Sequence, residues 1–203
     1  MRRKIMINAA VFLSGVALMA EPTSTIELRD GQFEESTPNG SFPSSGAWQR
    51  SWLGEAGAVC TTTAGRSGNG LWAYTGPNSS DQWSATYQEF TCPPGTVLRA
   101  EGWVRTPPGE EWVKGSKAEF QVRFLDGNGN ELATVASEPL STPSTDWQRR
   151  VLVTCPAPIG TVRVRYVCYL EKPSGEVGHS VANFDDCSLR LQEEPHFQTV
   201  KSP

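Results

Sequence analysis

The sequence predicts an all-β protein, an antiparallel jelly-roll β-sandwich, from three observations. Between residues 27 and 191, short β-prone runs are separated by polar turns, and no run keeps a helical period. Several runs alternate apolar and polar residues, as strands with one face on a core do. The runs also follow one another without intervening helices, which favours an antiparallel sandwich or barrel over a parallel sheet.

The strands are predicted by β-branched and aromatic runs that end at Gly, Pro or Asn. They cover residues 58–63, 71–74, 83–91, 97–105, 118–125, 132–135, 147–154, 161–170 and 182–191. Residues 39–57 are rich in Gly, Ser and Pro and predict a long loop. Residues 126–130 have the initial spacing of a calcium-binding loop, but Glu131 stands where its glycine belongs. We therefore expect a hairpin turn there.

The first twenty residues have the pattern of a secretory signal peptide. Residues 1–4 are basic after the first methionine, residues 5–20 are mainly apolar, and the small Ala20 ends the run. Leu18 stands where the cleavage signal prefers a small residue, so an uncleaved anchor is the alternative. We expect a secreted, periplasmic or cell-surface protein that has no membrane span once the leader is removed.

The rest of the chain is acidic and long enough for one domain. Removing residues 1–20 leaves 15 basic against 22 acidic residues, a net charge of −7, which argues against nucleic acid as a partner. Residues 26–191 suffice for one domain with its own core. Residues 192–203 are polar and predict a loose tail.

The cysteines are consistent with export. Five cysteines follow the leader, and in an exported chain they indicate up to two disulfides and one spare thiol, with the pairing left open. No two of them have zinc-site spacing, and His179 and His196 are the only histidines.

The last predicted strand contains two adjacent carboxylates, Asp185 and Asp186. Adjacent strand residues point to opposite faces, so one of the two points inward and needs a partner. Glu34, at the other end of the domain, is a plausible companion. We therefore expect the first and last strands to meet.

Six motifs in this order resemble the galactose-binding-like jelly roll of carbohydrate-binding module families four, nine and twenty-two. The motifs are residues 30–34 (DGQFE), 67–72 (SGNGLW), 100–105 (AEGWVR), 122–130 (VRFLDGNGN), 144–148 (STDWQ) and 184–189 (FDDCSL). The resemblance implies a structural Ca²⁺ between the first and last strands. By position, Glu34 and either Asp185 or Asp186 would supply side-chain oxygens to it. An inward aspartate capped by backbone amides, without a metal, is the alternative.

The resemblance also implies a polysaccharide or glycan partner, bound on the concave sheet or at the loop rim. Sugar rings stack on exposed aromatic side chains, so Trp52, Trp83 and Trp112 are rim candidates, whereas Trp72, Tyr74 and Trp147 match core or edge positions. By parity, one face opposite the core is expected to carry Arg99, Glu101, Trp103, Arg105, Glu119, Gln121, Arg123, Arg163, Arg165 and Tyr169. Its surplus arginines either form cross-strand ion pairs or bind an anionic glycan.

Nothing in the sequence favours catalysis. Glu101 and Glu119 would face one another across neighbouring strands, but arginine neighbours keep both ionised and unsuited to the acid role. We expect a non-catalytic glycan-binding protein. The alternatives are an extracellular protein-interaction or adhesion domain and, less favoured, a polysaccharide hydrolase or lyase. Oligomeric state is left open.

Overall fold

The computed structural model describes residues 26–35 and 47–192. These residues form ten β-strands and no helix. The strands are β1 (Gln49–Leu53), β2 (Gly57–Thr61), β3 (Gly70–Tyr74), β4 (Gln82–Thr91), β5 (Leu98–Arg105), β6 (Lys117–Leu125), β7 (Glu131–Ala136), β8 (Gln148–Val153), β9 (Arg163–Lys172) and β10 (Val181–Leu191). The predicted all-β class is confirmed.

The strands form two five-stranded sheets. Sheet A has the order β1-β4-β9-β6-β7, sheet B has the order β2-β3-β10-β5-β8, and every pairing is antiparallel. This is the predicted jelly-roll β-sandwich. All nine predicted strands are present with small shifts at their ends.

β1 lies inside the predicted long loop of residues 39–57, so that prediction is wrong for residues 49–53, and residues 39–46 lie outside the described residues. All five residues of β1 are exposed, and it pairs with β4 at one edge of sheet A. A strand with no buried side shows no apolar alternation, which is why its sequence does not reveal it.

The core lies between the two sheets and is dominated by stacked aromatic rings. Phe120 stacks on Tyr166 at 5.7 Å between centroids and meets Phe184 edge-on at 5.4 Å. A Cβ at Gly102 would lie 2.5 Å from the Phe120 ring, so only glycine fits there. The buried Tyr166 hydroxyl donates to the carbonyl of Glu101, 3.0 Å away, which links sheet A to sheet B.

The N-terminal segment packs against the last strand, as predicted, although it forms turns rather than a strand. The amide of Cys187 donates to the carbonyl of Gly31 at 2.8 Å. Phe33 is fully buried and stacks on Trp48 at 4.8 Å, and the Trp48 indole N–H donates to the carbonyl of Asp30 at 3.0 Å. This segment therefore closes one side of the core.

A buried ammonium holds two loops together. Lys172, at the end of β9, is fully buried. Its Nζ donates to the carbonyls of Gly76 at 2.8 Å and Gly178 at 2.9 Å, and it also contacts the carbonyls of Asn78 and Glu176. A buried charge is tolerated when it is fully hydrogen-bonded, so Lys172 fixes the β3–β4 loop against the β9–β10 loop.

The predicted disulfides are not seen. All five cysteines lie in the described residues, and no disulfide joins any of them there. The sulfur atoms of Cys168 and Cys187 lie 3.7 Å apart in a contact between the two sheets, which is longer than a disulfide bond. Burial raises the pKa of the Cys168 thiol well above its ordinary value, which keeps it protonated.

The predicted hairpin turn at residues 126–130 is confirmed. One Asp126 carboxylate oxygen accepts the amides of Asn128 and Asn130, both at 2.8 Å. The predicted leader and most of the predicted tail lie outside the described residues. Within the described residues, no helix is long and apolar enough to span a membrane.

Gly31→Ala tests the contact between the N-terminal segment and β10. A Cβ at Gly31 would lie 2.1 Å from the carbonyl oxygen of Cys187, and backbone cannot easily move away. We expect the substitution to lower the free energy of unfolding by about 1–3 kcal/mol, the usual cost of overpacking a filled site. Urea denaturation measures it.

Gly127→Ala is the matched control. A Cβ at Gly127 would meet nothing nearer than Val162 at 3.9 Å. We expect a change within about 0.5 kcal/mol there. Equal stability of the two variants would show that the N-terminal segment does not depend on this contact.

Candidate functional site

The ten side chains predicted to share one face do not share it. Arg99, Glu101, Trp103 and Arg105 lie on the outer side of β5 in sheet B, whereas the other six belong to β6 and β9 in sheet A. The single-face prediction is therefore wrong. Alternation shows which residues of one strand share a side, but it does not show which strands share a sheet.

The outer face of sheet A carries three partly buried aromatic rings, Trp83, Tyr87 and Tyr169, which we call the aromatic row. Trp83 and Tyr87 lie on β4, and the ring centroids of Trp83 and Tyr169 are 6.3 Å apart. Ala85, between the two β4 rings, pairs with Tyr169 across the strands. The row therefore crosses from β4 to β9 on one side of the sheet.

Next to the aromatic row, outward-pointing side chains form a shielded floor. Glu119 and Gln121 of β6 are only 5% and 6% exposed, and Val167 of the neighbouring strand β9 is 1% exposed. Side chains on a flat open face would be more accessible, so neighbouring groups enclose these residues. We call this shielded polar strip, with the aromatic row along its β4 and β9 side, the groove.

Hydrogen bonds order the polar floor. The Gln121 amide nitrogen donates to a Glu119 carboxylate oxygen at 2.6 Å. The Arg123 guanidinium donates to the Gln121 amide oxygen at 2.8 Å from Nε and 2.5 Å from Nη2. Arg123 also lies 5.3 Å from the Tyr169 ring centroid. These contacts fix donors and acceptors beside an aromatic surface.

Most charges on this face are paired internally. Arg163 and Arg165 contact the two oxygens of Glu89 at 2.6 Å and 2.7 Å. Burial acts to raise the pKa of the Glu89 carboxyl, but Arg165 and Arg163 together hold it below its ordinary value. Arg123, in contrast, enters none of the ion pairs among the described residues.

The outer face of sheet B is occupied by its own arginines. The Arg66 guanidinium covers the Trp103 ring at 3.9 Å, and it also pairs with Asp186. Glu101 is contacted by Arg149 at 2.5 Å and by Arg99 at 3.6 Å. The predicted ligand residues Arg99, Glu101 and Trp103 are therefore engaged with neighbours on the opposite side of the sandwich from Tyr169.

The predicted rim tryptophans have different positions. Trp52 is 52% exposed on β1, but its neighbour Leu53, rather than Trp52 itself, pairs with Trp83 across the strands. Trp83 belongs to β4 and the aromatic row rather than to a loop. Trp112 packs partly buried against the core. Only Trp83 of the three therefore faces the groove.

Two aromatic residues predicted at core or edge positions lie elsewhere, on an interior strand of sheet B with their side chains outward. Trp72 and Tyr74 lie on the outer side of sheet B, where Trp72 is partly buried and Tyr74 is 36% exposed. The sequence motifs do not single out Tyr87 as a ligand residue, although its alternation with Trp83 and Glu89 marks it as an outward residue of the same strand.

The predicted metal ligands meet at the junction of the N-terminal segment, the 65–70 turn and β10. The Asp185 carboxylate is 2% exposed and accepts the amides of Arg66 and Asp186, both at 2.7 Å. A Glu34 oxygen accepts the Asn69 amide at 3.0 Å. Burial raises the pKa of Asp185 to about 6, against these backbone donors, and the charges of Asp186 and Glu34 add to the rise.

The oxygen donors at this junction fit a hard cation in part. Glu34 and Asp185 supply carboxylate oxygens, the donor type that Ca²⁺ prefers, whereas Asp186 is engaged by Arg66. A Cβ at Gly68 would lie 2.2 Å from a Glu34 oxygen, so the turn approaches Glu34 closely. No group of three His, Cys, Asp or Glu side chains placed to hold a metal occurs in the described ranges.

The carboxylate pair considered for catalysis is separated. Glu101 lies on β5 of sheet B and Glu119 on β6 of sheet A, so the two do not face one another across neighbouring strands. His179 lies between carboxylates, with Nδ1 3.2 Å from Glu111. Ser180 is fully buried and accepts the Val113 amide at 2.8 Å, so it is not an accessible nucleophile.

No protein-family model and no curated protein matches the sequence. Solved structures do match the fold. The xylan-binding CBM22-1 domain of Paenibacillus barcinonensis Xyn10C has a TM-score of 0.54 and 18% identity, over 81% of this chain and 93% of that one. The C-terminal family 22 carbohydrate-binding module of Clostridium thermocellum Xyn10B has a TM-score of 0.53 and 13% identity, over 79% and 89%.

Larger proteins match over part of their length. The enzymatically active domain of bacteriophage CBA120 tailspike protein 4 has a TM-score of 0.54 and 18% identity, over 78% of this chain but only 22% of that one. At these identities the similarity establishes the fold alone. The chain therefore has the jelly-roll β-sandwich fold of carbohydrate-binding modules, as its six sequence motifs predict.

Proposed function

We propose that this chain is a glycan-binding module that binds a polysaccharide in the groove on the outer face of sheet A. The observation that carries the proposal is the aromatic row beside the ordered polar floor. A sugar ring has an apolar face that stacks on aromatic rings, and its hydroxyls require fixed donors and acceptors. The groove supplies both within one sheet face.

The floor is suited to this role because it is already ordered. Arg123, Gln121 and Glu119 hold one another by hydrogen bonds, so a ligand would meet side chains that have little rotamer freedom left to lose. The similar solved domains named above for xylan and carbohydrate binding support the same class of ligand. A protein-interaction surface would instead favour a broad apolar patch, whereas this groove alternates rings with charged and amide groups.

Export is part of the proposal. The basic and apolar start of the sequence supports a secreted, periplasmic or cell-surface location, where polysaccharides are accessible. We also propose that the module itself is non-catalytic, since the carboxylates considered for catalysis lie on different sheets.

Removing rings of the aromatic row tests the site. We expect Tyr169→Ala and Trp83→Ala each to weaken binding by about tenfold, or roughly 1.4 kcal/mol, because each loses a stacking surface. Affinity gel electrophoresis against xylan, β-glucan and polygalacturonate measures the change for whichever polymer retards the parent protein.

Trp147→Ala is the matched control. Trp147 is partly buried beneath Arg105, on the side of sheet B. We expect its substitution to leave retention unchanged, with folding checked by thermal denaturation. Retention of Tyr169→Ala equal to that of the parent protein would contradict the proposed site.

We further propose that the groove favours an anionic glycan, because the Arg123 guanidinium has no carboxylate partner among the residues that the structure describes. Arg123→Gln is expected to reduce retention by polygalacturonate several-fold and to leave retention by xylan nearly unchanged, since guanidinium binds carboxylate bidentately. Arg163→Gln is the control, because Glu89 already engages Arg163. Equal losses for both polymers would reject an anionic preference.

We also propose that Ca²⁺ binds at the junction through Glu34 and Asp185. Calcium would join the N-terminal segment to β10 and so stabilise the fold. At a hundredfold excess over its Kd, bound calcium adds about 2.7 kcal/mol to the free energy of unfolding. Denaturation with calcium and with EDTA measures the difference, and we expect Asp185→Asn to abolish it.

Glu35→Gln is the control for the calcium experiment, since Glu35 is exposed beside Glu34. We expect that variant to keep its response to calcium. If calcium leaves the stability of the parent protein unchanged, the alternative holds, and Asp185 is capped by backbone amides alone.

A further inference from the structure

A cavity lies at one end of sheet B, on the other side of the sandwich from the groove. It has a volume of about 330 Å³. Its lining includes Trp72, Tyr74, Glu55, Glu110 and His179, and we call it the rim cavity. None of these residues is among the ligand residues predicted from the sequence.

Two aromatic rings form the walls of the rim cavity. Trp72 and Tyr74 lie two residues apart on β3 and so share its outer side, whereas Leu71 and Ala73 point into the core. The Tyr74 hydroxyl lies against Gly57, where an added Cβ would be 2.6 Å away. Glycine on the neighbouring strand therefore lets the Tyr74 ring lie close to the sheet, where Tyr74 lines the cavity.

The rim of the cavity is acidic. Glu55 and Glu110 line it, and His179 lies between Glu110 at 3.8 Å and Glu111 at 3.2 Å. Among the lining residues that the structure describes, none is Lys or Arg. The buried Lys172 ammonium lies close enough to Glu55 to interact with its charge, whereas Glu110 has only His179 beside it. The cavity thus combines aromatic side chains with a carboxylate, Glu110, that no lysine or arginine of the lining neutralises.

The loops that form the cavity are held in place. Gly76 and Gly178, at the ends of the β3–β4 and β9–β10 loops nearest the cavity, both accept hydrogen bonds from the buried Lys172 ammonium. The amide of Ser180 also donates to the Thr75 hydroxyl at 2.9 Å. The cavity therefore exists before a ligand arrives.

We propose that the rim cavity binds an amine-bearing sugar unit, such as glucosamine at the end of a glycan. Its volume is at the small end of the range for ligand sites, which suits one sugar unit rather than a long chain. The sugar's apolar face would stack on Trp72 or Tyr74, and its ammonium would be attracted by both the carboxylates and the rings. This site is separate from the groove and does not depend on ligand binding there.

Short glucosamine oligomers test the proposal, with N-acetylated and galacturonate oligomers as comparisons. The readout is the indole N–H signal of Trp72 in ¹⁵N-labelled protein, assigned through Trp72→Phe, at a pH where the amine is protonated. We expect glucosamine oligomers to shift this signal, with an affinity that falls as salt is added. The other two classes are expected to bind at least several-fold more weakly.

Three variants separate the contribution of ring stacking to binding from that of the carboxylate charge. Tyr74→Ala is expected to weaken binding by about tenfold through lost stacking. Glu110→Gln is expected to weaken it by about two- to fivefold, as one partly exposed ion pair would. Glu138→Gln, an exposed carboxylate beyond β7, is the control and should change nothing. Glu110→Gln keeps the shape of the cavity, so its result stands even if Tyr74→Ala folds poorly.

Tyr169→Ala distinguishes this site from the groove, and it should leave the Trp72 response intact. The proposal is overturned if the Trp72 signal does not shift with glucosamine oligomers. It is also overturned if N-acetylated oligomers bind equally well, or if Tyr169→Ala abolishes the response. Failure of polysaccharide binding in the groove, with the Trp72 response retained, would count against the groove alone.

Discussion

The hydrogen bond from the Cys187 amide to the Gly31 carbonyl is the contact on which the N-terminal side of the sandwich depends. β10 is the middle strand of sheet B, and its pairing with β5 is interrupted between Asp185 and Ser188. Asp186 there has a φ of 48°, in the left-handed region. Because of the irregularity, the Cys187 amide does not bond within the sheet, and it donates instead to the Gly31 carbonyl of the N-terminal segment.

The same irregularity determines the electrostatics of the junction. It places Asp185 where it is buried and accepts two amides, and it turns Asp186 towards Arg66. Two adjacent acids in a regular strand would alternate between core and solvent. Here both aspartates have partners: Asp185 accepts backbone amides, and Asp186 pairs with Arg66. Glu34, from the N-terminal segment, lies near enough to Asp185 for their charges to interact. Fold closure and the candidate cation site are therefore consequences of one backbone feature.

The sequence predicts the strands well because most of them bury one face, and burial imposes alternation. β1 is missed because it buries neither face. The predicted ligand face fails for a different reason: parity is a local property, whereas the division of β5 and β6 between two sheets is set by long-range pairing. The meeting of Glu34 with Asp185 was predictable from ordered motifs. The rim cavity was not, since it combines β3 with four loops from different parts of the sequence.

The charge available to a ligand on each surface is what remains after internal pairing. On the outer face of sheet A, Glu89 engages two arginines. Arg123 lies beside the aromatic row, and within the described part of the chain it forms no ion pair with a carboxylate. In the rim cavity, glutamates outnumber the one histidine, and the buried Lys172 is directed to backbone carbonyls. Composition alone makes the whole chain acidic. Under the two proposals, the pairing of individual side chains gives the groove and the rim cavity opposite preferences for ligand charge.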